Sequence, residues 1–322
     1  MAVKGQKMAG TGGPGRSERQ GITVPELFKM FPDDETAERW YEEQRWPGGK
    51  RVCPDCGSER YSETNRKRRL PPYRCKDCRQ YFSVKKGSVM EGSNLGYQAW
   101  VIATYMMTTN LKGVSSMKLH RDLGISQPSA WFLMQRIREA FDEGTLIMAG
   151  PVEVDETFVG GRERNKHSRQ RLRAGRGPVG KTAVAGAKDR GTGKVSAQVV
   201  ADTSRASLQP FVVERTRQGA QVFTDEHGAY KGIPGVRHSS VKHSVGEYVD
   251  GQAHTNGVES FWSTLKRGYH GTYHQMSAKH LQRYVNEFAG RHNLRPLDTI
   301  DQMAQVAQGM NGRRLTYKQL TA

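Results

Sequence analysis

Four cysteines occur in this chain of 322 residues, spaced as Cys53-x2-Cys56 and Cys75-x2-Cys78. No other feature restricts the fold as strongly. A Cys-x-x-Cys turn aims two sulfurs at one point, and a second such turn completes a tetrahedron around a zinc ion. Gly57 follows the first pair, where the turn needs a positive φ. Four thiolates leave no open coordination position, so the site is structural rather than catalytic. The competing reading is a set of redox dithiols or free thiols, which this register does not favour. The segment has few large apolar residues, so metal binding is expected to supply its folding free energy. Between the pairs lies Arg66-Lys67-Arg68-Arg69, which either meets phosphates or is a solvated loop. With every cysteine used in this way, a scattered disulfide framework is excluded and a reducing, cytoplasmic setting is expected.

Lys and Arg number 50 against 32 Asp and Glu, a formal net charge of +18. That excess repels itself in the folded state and implies a polyanionic partner, nucleic acid first. A membrane role is disfavoured, because no apolar run approaches the roughly 18 residues a spanning helix needs. Residues 1–20 are Gly-rich and basic without an apolar core, and are expected to form a flexible tail rather than a signal peptide.

Periodicity divides the remainder. A helix is predicted from Glu35 to Trp46, stopped by Pro47-Gly48-Gly49, and it leads into the ribbon to make a unit over 21–84. Residues 96–143 read as helical within a second unit, 88–146. There Leu119 and Leu123 lie on a short helix after Ser115-Ser116, Gly124 turns the chain, and Ser126 caps a second helix with Pro128 in its first turn. Ala130, Leu133, Met134, Ile137 and Phe141 give that helix one apolar face. This is the pattern of a helix-turn-helix, although an ordinary helical hairpin shares it. Gln127, Ser129 and Gln135 would then reach base edges, with Arg136 and Arg138 on phosphates. After Gly150-Pro151, strands are expected near 152–159, 182–188, 194–201 and 221–225, with helices near 204–217, 255–267 and 278–291. Interleaved strands and helices imply an α/β sandwich over 150–295. Residues 296–322 read as a loosely organised C-terminal tail.

Three carboxylates stand out. Asp155 lies in an alternating strand, Asp225 ends another, and Glu259 sits on a helix whose apolar face is Val258, Phe261, Trp262 and Leu265. Two strand aspartates and a helix glutamate suit a pair of Mg2+ or Mn2+ ions, and Lys266 two turns on suits a phosphate. Glu259 could instead be the partner of an Asn256 cap, and Glu153, Glu156 and Glu226 flank the chosen aspartates. Arg162, Arg164, Lys166, Arg169, Arg171, Arg173, Arg176 and Lys181 form a basic insertion over 162–181 suited to a phosphate backbone. Within it, residues 175–182 match the P-loop pattern by letter, but the expected strand before and helix after are missing, so ATP binding is set aside. His238, His243 and His254 lack a metalloprotease spacing.

Several motifs occur in order: Cys53-Pro54-Asp55-Cys56-Gly57, Tyr73-Arg74-Cys75, Ala130-Trp131-Phe132, Val154-Asp155-Glu156-Thr157-Phe158-Val159-Gly160-Gly161, Thr224-Asp225, Asn256-Gly257-Val258-Glu259-Ser260-Phe261-Trp262, and Tyr284-Val285-Asn286-Glu287-Phe288. Together they closely resemble bacterial insertion-sequence DDE transposases with an N-terminal zinc ribbon, relatives of the Merlin transposons, over about residues 22–295. The resemblance implies a multidomain α+β and α/β protein: zinc ribbon, helix-turn-helix and RNase H-like core. Asp155, Asp225 and Glu259 match the acidic triad and Lys266 the following basic residue, with Asn256 an alternative third ligand. It further implies Mg2+-dependent cleavage and strand transfer at terminal inverted repeats, by a homodimer or larger assembly on double-stranded DNA. The alternatives are a DNA-binding regulator that has lost catalysis and, on the P-loop letters, an ATPase assisting transposition.

Overall fold

The computed structural model describes residues 19–65, 70–161, 163–172, 178–240 and 255–322. The N-terminal tail and Arg66-Lys67-Arg68-Arg69 therefore fall outside the described residues, apart from the tail's last two positions. Helix α1 (Val24–Met30) was not anticipated; Thr23 and Glu26 close a capping box at its start. Helix α2 (Asp34–Arg45) matches expectation and stops at Gly48 and Gly49, with φ of 70° and 76°. Strands β1 (Tyr61–Glu63), β2 (Tyr73–Cys75) and β3 (Tyr81–Phe82) form an antiparallel sheet in that order. The ribbon is better packed than its composition suggests. Tyr73 lies 5.4 Å from both Tyr61 and Phe82, and Trp46 6.1 Å from Phe82, ring centre to ring centre. This aromatic layer joins the ribbon to the helices behind it.

Helix α3 (Tyr97–Thr109) is followed by α4 (Ser116–Leu123) and α5 (Gln127–Ala140). Ser115 caps α4, Gly124 turns the chain at φ 62°, and Ser126 caps α5 by accepting from the Ser129 amide. A five-stranded sheet follows, built from β4 (Val152–Val159), β5 (Thr182–Asp189), β6 (Val195–Val200), β7 (Gln221–Thr224) and β8 (Arg237–Ser240). Its order is β6-β5-β4-β7-β8; β6, β5 and β4 pair antiparallel, while β7 and β8 run parallel to β4. Helix α6 (Arg205–Arg215) covers one face, where Val152, Val154, Ala185 and Val222 meet Leu208, Phe211 and Val212. Helices α7 (Asn256–Gly268) and α8 (Ala278–Leu294) cover the other, through Val258, Phe261, Trp262, Leu265, Val285 and Phe288. Strand β8 was missed by periodicity because Arg-His-Ser-Ser carries no apolar alternation.

The C-terminal segment is the first correction. Residues expected to form a loose tail build α9 (Thr299–Gly309) and α10 (Tyr317–Thr321). Met303, Val306, Ala307 and Met310 are buried in the N-terminal core beside Trp100, Met107 and Ile137. The second correction concerns α5. Its predicted apolar residues are all buried, but so are Gln135, Arg136 and Arg138, at 0%, 6% and 1% exposure. Arg136 donates to the Leu315 and Glu91 carbonyls at 3.2 Å and stacks over Phe132. Arg138 pairs with the fully buried Glu287 of α8 at 2.7 Å, under Tyr284 and Tyr273. None of the three is presented to DNA, because α8 and the C-terminal segment cover the side of α5 that amphipathic reasoning assigns to solvent.

The Arg138–Glu287 pair joins the two halves of the molecule. Truncating Arg138 to Ala takes the nearest cation from the buried Glu287 carboxylate and leaves it Arg291 at 3.3 Å and the Tyr273 hydroxyl at 3.0 Å, and should cost about 3 kcal/mol. Denaturant unfolding of the Arg138→Ala variant would measure it, and a loss below ~1 kcal/mol would mean that Glu287 finds other compensation.

Candidate functional site

Strand β4 places Glu153 and Asp155 on the α7 face of the sheet, since alternate residues share a side. The parallel pairing of Glu153 with Phe223, continued two residues, sets Asp155 beside Asp225 at the end of β7. Helix α7 crosses this face with Trp262, whose Nε1 donates to Asp155 Oδ2 at 3.0 Å. Gly186, opposite Asp155 on β5, leaves the space that the indole fills; a Cβ there would stand 2.4 Å from the ring. Glu259 lies one turn before Trp262 on α7 and accepts from Thr255 Oγ1 at 2.9 Å. Thr255, not Asn256, occupies the cap position, and no side chain caps this helix through a capping box.

Asp155 feels the charge of the other two carboxylates. The Asp155 carboxyl is pushed up to about 7, chiefly by burial, then by Glu156, Asp225 and Glu259. Glu156 is also raised by burial, on the opposite face of β4, where Tyr230 donates to it at 2.7 Å. Asp225 accepts from the His227 amide at 3.0 Å, which fixes the turn after β7. Lys266 is exposed on α7, two turns beyond Glu259.

The cysteines form a separate centre. Sγ atoms of Cys53 and Cys78, and of Cys56 and Cys75, lie 3.6 Å apart, and all four sulfurs fall within 4.8 Å of one another. Edges of a tetrahedral thiolate site with bonds of roughly 2.3 Å measure about 3.8 Å, so the arrangement fits zinc. Gly57 has φ 74°, as its turn requires. The Cys75 thiol is drawn down to about 6, first by the Cys78 amide. Among the described residues this is the one group with at least three ligand atoms so tightly gathered.

Of the other sequence candidates, Ser129 is exposed and Gln127 half-buried, with its amide donating to Ser116 Oγ at 2.9 Å. Arg169 and Arg171 are exposed, Lys181 is half-buried, and Lys166 pairs with Glu163. Arg162, Arg173 and Arg176, the side chain of Arg164, and His243 and His254 lie outside the described residues. His238 bonds Thr224 Oγ1 at 2.8 Å. Thr182 opens strand β5 and no helix, so the P-loop letters lack the helix that phosphate binding needs. Among the described residues no helix is long and apolar enough to cross a membrane.

Residues 147–293 match the ISXO2-like transposase domain, and residues 32–81 match the transposase zinc-ribbon domain. The chain carries an ISXO2-like transposase domain behind a transposase zinc-ribbon domain. A protein of transposable element ISH50 from Halobacterium salinarum, described as uncharacterized, is 29% identical over 272 residues. That match covers 81% of this transposase and 91% of the relative. The matched domain spans the five-stranded sheet with α6, α7 and most of α8, and so includes all three carboxylates. The two matched domains mark this protein as a DDE-type enzyme that cleaves and transfers DNA strands.

Proposed function

We propose that the sheet domain is an RNase H-like core in which Asp155, Asp225 and Glu259 hold divalent metal and Lys266 steadies a phosphate of the DNA end. The observation that carries this reading is geometric: the parallel pairing of β4 with β7 sets Asp155 beside Asp225, and α7 brings Glu259 across the same face of the sheet. Burial, then Glu156, Asp225 and Glu259, raises Asp155 to about 7, so a cation would favour its charged form. Hard carboxylate oxygens on rigid strands and one helix suit Mg2+ or Mn2+. Glu259 is preferred over Asn256 as third ligand because its charge acts on Asp155. When bound, the metal would activate the attacking oxygen and stabilise the leaving one in an in-line displacement. The chain's own part is to fix the geometry: Trp262 holds one Asp155 oxygen, Thr255 one Glu259 oxygen, and the turn amide of His227 one Asp225 oxygen.

Helices α4 and α5 act, on this reading, as a helix-turn-helix with Gln127 and Ser129 at the start of the second helix. Lys166, Arg169, Arg171 and Lys181 track the phosphate backbone of the element's inverted repeats or of target DNA. Two ends must be joined together, which calls for a homodimer or larger synaptic assembly. The test uses the purified protein, duplex DNA carrying the element's terminal repeats, and Mg2+ or Mn2+. Strand nicking at the repeat boundary and joining to a second duplex, without ATP and abolished by chelation, is the expected result. Binding without any cutting would instead favour the catalytically silent regulator, and a strict need for nucleotide the ATPase.

A further inference from the structure

Glu153 is 2% exposed, one register step below the proposed metal ligands, and the chemistry above does not use it. Its two oxygens are committed. Oε1 accepts from Arg190 Nε at 2.8 Å, and Oε2 accepts from the backbone N–H of Val258 at 2.9 Å. Val258 lies in the first turn of α7, so a carboxylate from the sheet satisfies one of the amides that a helix start leaves open, where negative charge is also favoured. The contact is tight. A Cβ on Gly257 would stand 2.6 Å from Glu153 Oε2 and 2.9 Å from Lys188 Nζ, so any other residue there would push the ends of these two side chains aside. Lys188, opposite Glu153 on β5, reaches the Gly257 carbonyl at 3.4 Å. Arg190 in turn lies over the Phe223 ring at 4.3 Å, and Phe223 is the β7 neighbour of Glu153.

Each contact of this layer falls within two residues of one proposed ligand: Glu153 precedes Asp155 on β4, Phe223 precedes Asp225 after β7, and Val258 precedes Glu259 on α7. We infer that Glu153 is the positioning residue of the catalytic centre, holding the start of α7 on the sheet so that Glu259 stands over Asp155 and Asp225. This rests on the reading of those three carboxylates as the metal site. An outer group of this kind typically changes metal affinity or activity by about 10–100-fold when removed.

The test compares Glu153→Ala and Glu153→Gln with the full-length wild type. Glutamine keeps the shape and one acceptor but loses an acceptor for the second donor, so it serves where alanine compromises folding. Amide hydrogen exchange over 256–262 should rise at least about tenfold in Glu153→Ala and less in Glu153→Gln, with β5 and β6 unchanged. Mn2+ binding without DNA, followed by electron paramagnetic resonance, should weaken by about tenfold or more, while affinity for the element's ends stays within about twofold. Unaltered exchange at 256–262, or an even rise across the whole sheet, would overturn the inference, as would wild-type Mn2+ affinity in both variants. Wild-type protein that neither binds Mn2+ nor cuts DNA would instead overturn the metal-site reading, and the exchange measurement would still report on the contact.

Discussion

Replacing Asp155 or Asp225 by alanine should reduce cleavage and joining by at least ~10³-fold, equivalent to about 4 kcal/mol of lost transition-state stabilisation. The affinity of the same variants for the element's ends should be unchanged, because both residues lie on the sheet, away from α4 and α5. A sharper version uses Asp155→Asn, which keeps size and one oxygen but removes the charge. With the folded carboxyl raised to about 7 against an ordinary value of 3.8, the unfolded chain holds fewer protons there than the folded one between those limits. Stability of the metal-free protein contributed by this group is therefore full below about pH 4 and falls as pH rises towards 7. Asp155→Asn removes that penalty. It should melt at a higher temperature than the wild type at pH 8 without metal, with the gap narrowing as pH falls and closing below about pH 4. Mg2+ should raise the wild-type melting temperature at pH 8 and leave the variant's unchanged. A variant that is inactive yet less stable at pH 8 would mean that Asp155 serves the fold and not the metal.

The site was only partly legible in the sequence. Alternation showed that Asp155 sits on a strand and that α7 has one apolar stripe, and both hold in the structure. What alternation could not show is parallel pairing of β4 with β7, which sets Asp155 beside Asp225 across about 70 residues of chain. That depends on long-range packing, and only the resemblance to known transposases supplied it beforehand. Glu153 illustrates the same limit. As one of several acidic residues near Asp155 it looked like a decoy, and its burial against the Val258 amide is visible only once α7 is docked.

Helix α5 failed for a related reason. The spacing of Ala130, Leu133, Met134 and Ile137 identified one buried face correctly. A period of 3.6 residues assigns the opposite side to solvent by default, and Arg136 and Arg138 fit that assignment chemically. Here the C-terminal residues fold back over it. Arg313 donates to the carbonyls of Glu139 and Asp142, and Tyr317 meets Phe132 with rings 5.6 Å apart. The small and sulfur-bearing residues of α9 gave too weak an apolar signal to announce this. Their burial among Trp100 and Met107 shows that the last two helices belong to the core of the N-terminal half.

Removal of zinc should then have a graded outcome. The ribbon strands are only three, three and two residues long, too short to hold together in water without a staple. Four-thiolate zinc contributes on the order of 10 kcal/mol in small metal-folded modules. The aromatic layer of Trp46, Tyr73 and Phe82 offsets part of that loss, so chelation should open residues 53–82 to hydrogen exchange without unfolding the five-stranded sheet. End binding should weaken at least about tenfold, since the module precedes α4 and α5 and packs in their core. Single substitutions should separate by burial. Cys56 is exposed, whereas Cys53 and Cys75 are buried against that core. Cys56→His has room for an imidazole ligand and should retain one zinc per chain, because three thiolates and a histidine also form a closed tetrahedral site. Cys53→His has no such room and should lose the metal and the ribbon together. Zinc content and exchange over 53–82 would decide it: full metal retention in Cys53→His would show that an imidazole fits there as a ligand, and full retention in Cys53→Ala that the four sulfurs do not share one ion.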